Sequence, residues 1–413
     1  MALHHDRLAL MSNTNLLYYT DSTCTEFVAA VVGVEQAGDR QAVCLERTAF
    51  YPTSGGQPHD TGRLGSARVV DVVAREDGSV WHIVEAASVP SLGQVLQGNV
   101  DWARRFDHMQ QHTGQHILSA ELARLANAQT VGFHLGSDKV SIDLDRSLTP
   151  EEVAEAESLA NRAVWDNLPV TARFESADEA AKLELRKPSV RTGRIRLVEI
   201  RGCDLSACGG THVGYTGSVG IIASCSTERY KSGTRLWFVC GDRALRYFRQ
   251  QRRQIGRCVR LLSVTPDEIA AEIERNQKEK LDQRRRIRTL QARLVALDAS
   301  QLVVSSQPKG GATVVVSRLG AHDTRSLKAV ALDIVRRPGH VAVLTSDAKP
   351  LGIVIARASN VALDASALIR SVIDRWGGRG GGSEEFAQAG GLDVEPGKLF
   401  KRLDELLDLE LPR

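Results

Sequence analysis

The stretch DHMQQHTGQHILSAEL, residues 107–122, sets His112 and His116 four residues apart in a chain with only 11 histidines. On a helix that spacing puts both imidazoles on one face, a turn apart, which is how a helix offers two nitrogens to one metal ion. A second pair with the same separation, Cys208 and His212, lies in CDLSACGGTHV, here across a Gly-Gly turn. Thiolate and imidazole suit a single Zn²⁺ per chain, at about 2.3 Å for sulfur and about 2.0–2.1 Å for nitrogen. Cys203 is a further candidate thiol, but the Gly-Gly beside Cys208 favours Cys208. Each pair alone is a weak signal, since helices often carry two histidines by chance.

The elements around these residues must bring them together. Phe106, Met109, Ile117, Leu118, Leu122 and Leu125 recur near the helical period, so the histidine pair is expected on a helix. VGFHLGSDKVSIDLD reads as two strands. TPEEVAEAESLANRAVWDN reads as a helix capped by Thr149, opened by Pro150 and carrying Glu151 and Glu152 in its first turn. RIRLVEI is a strand leading into the Cys/His turn, and SVGIIASCSTER with TRLWFVCGDRAL reads as a hairpin-like pair. Residues 101–245 are therefore expected to form an α+β domain holding the metal.

Upstream, EFVAAVVGV, RQAVCLERTAF, ARVVDVVARE and SVWHIVEA are short apolar or alternating runs, which predict a small β-barrel or sandwich over residues 1–100. Inside it, YPTSGGQPHDTGRLG is a loop whose glycines allow unusual backbone angles. Residues 246–300 read as a helical basic arm broken at SVTPDE, with Ile287, Leu290, Leu294 and Leu297 spaced as in a coiled-coil seam. Residues 301–413 read as a C-terminal α/β domain containing the glycine-rich loop WGGRGGGSEEFAQAGG. The expected fold class is a multidomain α+β protein.

With 413 residues, 42% hydrophobic and 25% charged, the chain has the composition of a soluble protein of two to four domains. No apolar run reaches the roughly 18 residues of a membrane span, and MALHHDRLALMSNTN lacks the pattern of a signal peptide. No membrane association is expected, and the cytoplasm is the expected compartment. The seven cysteines are odd in number and loosely spaced, which argues against a disulfide framework. Net charge is +3, yet residues 246–293 hold 14 Lys/Arg against 6 Asp/Glu, a net of +8 that leaves −5 for the remainder. That distribution fits either a polyanion partner or a solvated helical face.

HTGQH followed by CGGTHV, and preceded by FYPTSGGQPHDTG, resembles the editing domain of alanyl-tRNA synthetase, most of all its free-standing relatives, the long AlaX proteins. GGRGGGSEEFAQAGG is similar to the glycine-rich loop of the DHH-associated domain that ends those proteins, so the resemblance covers nearly the whole chain. It implies a zinc ion on His112, His116, Cys208 and His212. It also implies hydrolysis of mischarged tRNA(Ala), meaning Ser-tRNA(Ala), Gly-tRNA(Ala) or both.

In that frame Thr113 is a candidate for the substrate hydroxyl. Gln57 is a candidate substrate contact, with Thr53 and Ser54 as further donors. His134 is a candidate general base or contact to the tRNA end, and His108 a group behind the ligands. His59 is expected in solvent. Arg284, Arg285 and Arg286 of the arm and Arg379 of the tail are candidate tRNA contacts, and a homodimer through the arm and C-terminal domain is implied. Nothing upstream of Tyr18 is expected to hold an aminoacylation domain, and the tail lacks the Asp-His-His motif of the DHH phosphodiesterases. Gly114 departs from the HTA of many synthetase relatives; it costs up to about 1 kcal/mol against Ala in a helix, which points to close packing or substrate approach there. The rival readings are a Ser-tRNA(Thr) deacylase, a tRNA-binding module with a purely structural zinc, and a nucleotide phosphodiesterase suggested only by the tail.

Overall fold

The computed structural model describes residues 14–85, 90–188, 193–320, 323–346 and 351–411. The opening residues 1–13, read above against a signal peptide, lie outside this set. The chain divides into two compact units, Met1–Cys258 and Val259–Arg413.

The first unit starts with β1 (Asn15–Leu16), β2 (Glu26–Ala37), β3 (Arg40–Leu45), β4 (Arg47–Thr48), β5 (Gly62–Leu64), β6 (Ala67–Ala74), β7 (Val80–Glu85) and β8 (Val95–Val100). β1 pairs in parallel with β4, and the other six close into a barrel in the order β2-β3-β7-β6-β5-β8. Alternation along β2 sends Phe27, Ala29 and Val31 inward, where they meet Val43, Leu45, Val69 and Leu96. His82 on β7 is wholly buried. Thr48 Oγ1 lies 2.8 Å from its Nε2 and the Val43 carbonyl 2.9 Å from its Nδ1. Burial holds its pKa down to about 4, against the pull of the Val43 contact.

Next come α1 (Trp102–Ala126), β9 (Thr130–Leu135), β10 (Val140–Leu144), α2 (Pro150–Trp165), β11 (Val170–Ser176), α3 (Ala177–Ala180), β12 (Arg194–Ile200), β13 (Asp204–Ala207), β14 (Ile222–Tyr230), β15 (Gly233–Cys240) and α4 (Gly241–Leu262). Antiparallel sheets β14-β15-β10-β9 and β11-β12-β13 accompany them. α1 is capped by Asp101 and ends at Asn127, whose φ of 49° turns the chain away. Every side chain from His108 to Leu122 is buried, so α1 is a central helix and not an amphipathic surface one. Its apolar flank packs with Leu135, Ile142, Leu236 and Phe238 of the sheet and Ala156, Ala160 and Val164 of α2. Its polar flank carries the histidine pair. α2 has the expected Thr149 cap, completed into a capping box by Glu152.

Gly114 lies on the packed side of α1: a methyl group there would run into Cys240 Sγ and come within 3.4 Å of Val219. Close packing therefore explains the glycine.

In the second unit, α5 (Ile269–Val304) follows a capped turn at Thr265–Glu268, and Ile287, Leu290, Leu294 and Leu297 are all about half exposed on it. Then come β16 (Gln307–Lys309), β17 (Ala312–Leu319), α6 (Thr324–Ile334), β18 (His340–Ser346), β19 (Leu351–Arg357), α7 (Ala365–Trp376), β20 (Arg379–Gly382), β21 (Phe386–Leu392) and α8 (Pro396–Glu410). The strands form one sheet in the order β16-β17-β18-β19-β21-β20, parallel only between β17 and β18. The expected glycine-rich loop is instead largely an edge hairpin, β20 against β21 with Arg379 opposite Gly390. Gly380 and Gly382 press against the backbone of the partner strand, which is a close approach that glycine permits inside a strand. Among the described residues no helix is long and apolar enough to cross a membrane.

Candidate metal centre and its cavity

α1 and the turn after β13 converge on one point of the first unit. His112, His116, Cys208 and His212 each offer a donor atom, and these atoms all lie within 4.8 Å of one another. Cys208 Sγ is 3.5 Å from His112 Nε2 and 3.3 Å from His212 Nε2.

The rear nitrogen of each ring is held by a different partner. Gln57 Oε1 is 2.8 Å from His112 Nδ1, Asp204 Oδ2 is 2.7 Å from His116 Nδ1, and Thr113 Oγ1 is 3.1 Å from His212 Nδ1. Partners at Nδ1 leave Nε2 as the free ligand atom of each ring and fix its orientation. Asp204 is itself steadied by Arg186 Nε at 2.7 Å and by the Ser206 hydroxyl.

Electrostatics favour a metal-ready cysteine. Burial resists charge on the Cys208 thiol, but the imidazoles of His112, His212 and His116 bring its pKa well below the usual thiol range. Burial likewise drives His212 down to about 3, which keeps that ring neutral. His116 is raised to about 9: burial opposes the charge, and Cys208 and Asp204 overcome it. A thiol that ionises readily, with three oriented rings around it of which His116 releases its proton on binding, is a donor set that fits a single divalent ion.

Backbone shape at the site is demanding. Gly210 lies against the His112 ring and 2.9 Å from Gln57 Oε1, measured from where a methyl group would stand, so only glycine fits there. Arg196 on β12 donates to the Cys208 carbonyl at 2.8 Å and the Gly210 carbonyl at 2.9 Å, which sets the turn.

The glycine loop of the barrel closes the other side. Gly55 and Gly56 have φ of 57° and 86°, Ser54 and Gln57 exchange backbone hydrogen bonds across them, and the Gly56 carbonyl accepts from Leu135 N–H at 3.0 Å. The far end of the loop is tied down by Asp60. It accepts from Tyr51 N–H at 2.7 Å and pairs with Arg105 of α1, both side chains wholly buried.

Between loop and turn lies a cavity of about 570 Å³. His112, His116 and Cys208 face it, while His212 stands behind them. Tyr19, Tyr51, Ser54, Gln115, Thr130 and Phe133 are part of its wall, and Arg186 and Lys187 add positive charge.

The residues expected from sequence fall into distinct places. The four metal candidates come together. Gln57 and Thr113 are fully buried and sit behind the imidazoles, outside the cavity wall. His134 is exposed on β9, opposite Ser141, and does not line the cavity. His108 makes no hydrogen bond to the cluster and lines a separate cavity. His59 is half-buried beside Asp71, with Nδ1 3.0 Å from its carboxylate, because the loop folds back on the barrel. Cys203 stays outside the cluster, packed against the core of the domain. Arg284, Arg285 and Arg286 are exposed on α5, and Arg379 is exposed on β20. Asp204, Arg186, Arg196 and the Asp60–Arg105 pair were not singled out from the sequence. The charged residue types were visible, but their partners are remote in the chain.

Comparison with known proteins bears on this arrangement. Residues 2–104 match the family described as tRNA synthetases class II (A). The chain is 35% identical to an alanine–tRNA ligase of Natronomonas pharaonis, over 98% of this chain and 44% of that protein. It is 33% identical to the corresponding ligase of Pyrococcus abyssi, over 94% and 43%. The chain thus spans less than half the length of these ligases. Against the alanyl-tRNA editing protein AlaX-L of Pyrococcus horikoshii it is 30% identical over 93% of this chain and 96% of that protein.

The chain belongs to the AlaX-L family. In this member the paired HTGQH and CGGTH motifs are the ones that build the four-donor cluster. A solved C-Ala domain of Aquifex aeolicus alanyl-tRNA synthetase is 22% identical over 25% of the chain and 96% of that domain, with a TM-score of 0.23.

Proposed function

We propose that this chain is a zinc-dependent trans-editing hydrolase that deacylates mischarged tRNA(Ala), carrying serine, glycine or both. The observation that carries the reading is that three of the four clustered donors face a cavity of mixed polar and apolar lining while the fourth does not. A purely structural ion has no need of that access.

An alanine-charging site cannot exclude smaller glycine by size, and it rejects the added hydroxyl of serine only weakly, so a second site must remove the errors. The second site discriminates by binding what alanine lacks. Ser54 on the cavity wall would pair with the serine hydroxyl, while Gln115 and Thr130, also on the wall, each already donate to the Ser119 hydroxyl at 2.8 Å and shape the pocket. Gln57 and Thr113 act here as positioning residues, each holding one ligand imidazole from behind. Asp204 does the same for His116. The glycine loop, pinned at both ends, covers the cavity and limits water. His134, exposed on β9, is left to contact the RNA and not to act as general base. When bound, zinc would supply Lewis acidity toward the ester carbonyl or the attacking water.

In this reading residues 1–100 are the barrel that supplies the loop, 101–245 the editing domain, 246–300 the basic arm and 301–413 the DHH-associated domain. Arg284, Arg285, Arg286 and Arg379 contact tRNA phosphates, the exposed apolar stripe of α5 pairs two copies, and the protein works in the cytoplasm.

The test is deacylation of Ser-tRNA(Ala), Gly-tRNA(Ala) and Ala-tRNA(Ala) by purified protein and by Cys208→Ala, with zinc assayed in both. Loss of serine or glycine with alanine spared, abolished together with zinc in the variant, is the expected result. Zinc-loaded protein that binds tRNA but hydrolyses nothing would return the reading to a binding module.

A further inference from the structure

The first unit has a second cavity of about 700 Å³ that shares no residue with the metal site. It lies where the N-terminal ends of α1 and α4 meet. Trp102 and Phe106, one turn apart on α1, stack at 5.1 Å with their planes 27° apart, and Trp102 remains 45% exposed. At the wall is His108, 3% exposed, whose Nδ1 has no hydrogen-bond partner. A buried ring nitrogen without a partner is costly unless a ligand or water completes it.

Arg243 shapes the wall and is already committed. It grips Asp107 with two nitrogens and donates to the Gly136 carbonyl at 2.6 Å. Arg243 and Arg246 also belong to an adjoining groove of about 630 Å³ along α4. There Arg246, Arg249 and Arg253 fall at helical spacing on one exposed stripe, with Gln250, Tyr247 and Lys139 beside them. Arg246 carries an exposed pairing with Asp242 at 3.0 Å, which is cheap to exchange for a phosphate. No ion pair of Arg249 or Arg253 is found among the described residues. A solvated helix face would explain the arginines alone. It does not explain a flat aromatic pair and an unpaired buried histidine in the cavity that shares Arg243 and Arg246 with that groove.

We propose that this cleft is an RNA-strand site, in which an unpaired base stacks on Trp102 and the adjoining phosphates run along Arg246, Arg249 and Arg253. A stacking platform that opens onto a basic track is how proteins hold single-stranded nucleic acid. The base edge reaches the unpartnered Nδ1 of His108 and the amide oxygen of Gln110, whose Nε2 already donates to the Ser218 carbonyl at 2.8 Å. Of the acidic groups at the site, Asp107 and Asp242 are paired with arginines, and Asp138 on the groove wall stands against Lys139 and the three arginines, so the stripe keeps a positive balance. The inference rests on the proposed function only for the identity of the RNA as tRNA.

The test uses the full chain and uncharged tRNA(Ala), so that binding is read without hydrolysis. Trp102→Ala should weaken binding about tenfold and Trp102→Phe much less, because a second ring restores stacking. Arg249→Ala with Arg253→Ala should weaken binding and lower the slope of log affinity against log salt by about 2. Circular dichroism and the thermal midpoint of each variant separate lost binding from lost fold. A Trp102→Phe variant as weak as Trp102→Ala, an unchanged salt slope, or competition by polyglutamate equal to that by RNA would each overturn the site. Variants that bind tRNA normally while the wild type deacylates would sink the cleft and leave the hydrolase. Variants that lose tRNA while the wild type deacylates nothing would keep the cleft and sink the hydrolase.

Discussion

The partners behind the imidazoles decide how tightly the cluster can hold an ion. Asp204→Asn keeps the shape but weakens the grip on His116, and metal affinity should fall about 10- to 100-fold in chelator competition. Cys208→Ala, which removes a donor, should abolish loading outright, and equal affinities for the two variants would contradict the arrangement. Gly114→Ala sets helix propensity against the Cys240 thiol. The clash should win and destabilise the first unit by about 1–3 kcal/mol in urea unfolding, with Gly114→Ala/Cys240→Ala recovering most of it. The four donors were legible in the sequence because histidine and cysteine are scarce and their spacings regular. Asp204 was not: it is one of 50 acidic residues, and only the fold sets it 2.7 Å from a histidine 88 positions earlier.

At the level of elements, the barrel and α1 are joined by the buried Asp60–Arg105 pair, which also ties in the Ser22 and Ala49 carbonyls. Arg105→Ala leaves a carboxylate buried without its counter-charge. It should cost about 3–5 kcal/mol and release the loop that carries Gln57, so that unfolding midpoint and metal content drop together. The barrel should also be acid-labile through His82. Its pKa is about 4 when folded and about 6.5 when unfolded, so below pH 6.5 only the unfolded chain takes up the proton. That stability is fully present above pH 6.5 and declines by about 1.4 kcal/mol per unit as pH falls toward 4. His82→Gln should flatten this slope in pH-dependent unfolding, and a wild-type slope in the variant would place the effect elsewhere. Periodicity disclosed the strands and helices, including the cap of α2, because one face of each is apolar. It could not disclose that the polar flank of α1 is buried as well, since burial there depends on partners contributed by the loop and by β13. The glycine-rich tail stretch misled for the opposite reason: glycine reads as a turn, yet here it allows two strands to press together.

For the whole molecule, two compact units share one chain, and α5 shows solvent a stripe of Ile287, Leu290, Leu294 and Leu297, each close to half exposed. If that stripe pairs two copies, sedimentation should give a two-chain mass, and Leu290→Lys with Leu294→Lys should return a single-chain mass without shifting either unit's melting transition. A single-chain mass for the wild type at working concentration would end the pairing model. The metal centre gathers its parts from far apart, since Gln57 meets Thr211 across 154 positions and Thr113 meets His212 across 99. A chain still emerging from the ribosome can show only the two histidines of α1 until the Cys/His turn has been made. Metal retention by stalled nascent chains should therefore rise in one step once His212 has cleared the exit tunnel, so that holding the ion reports that both donor pairs have been made.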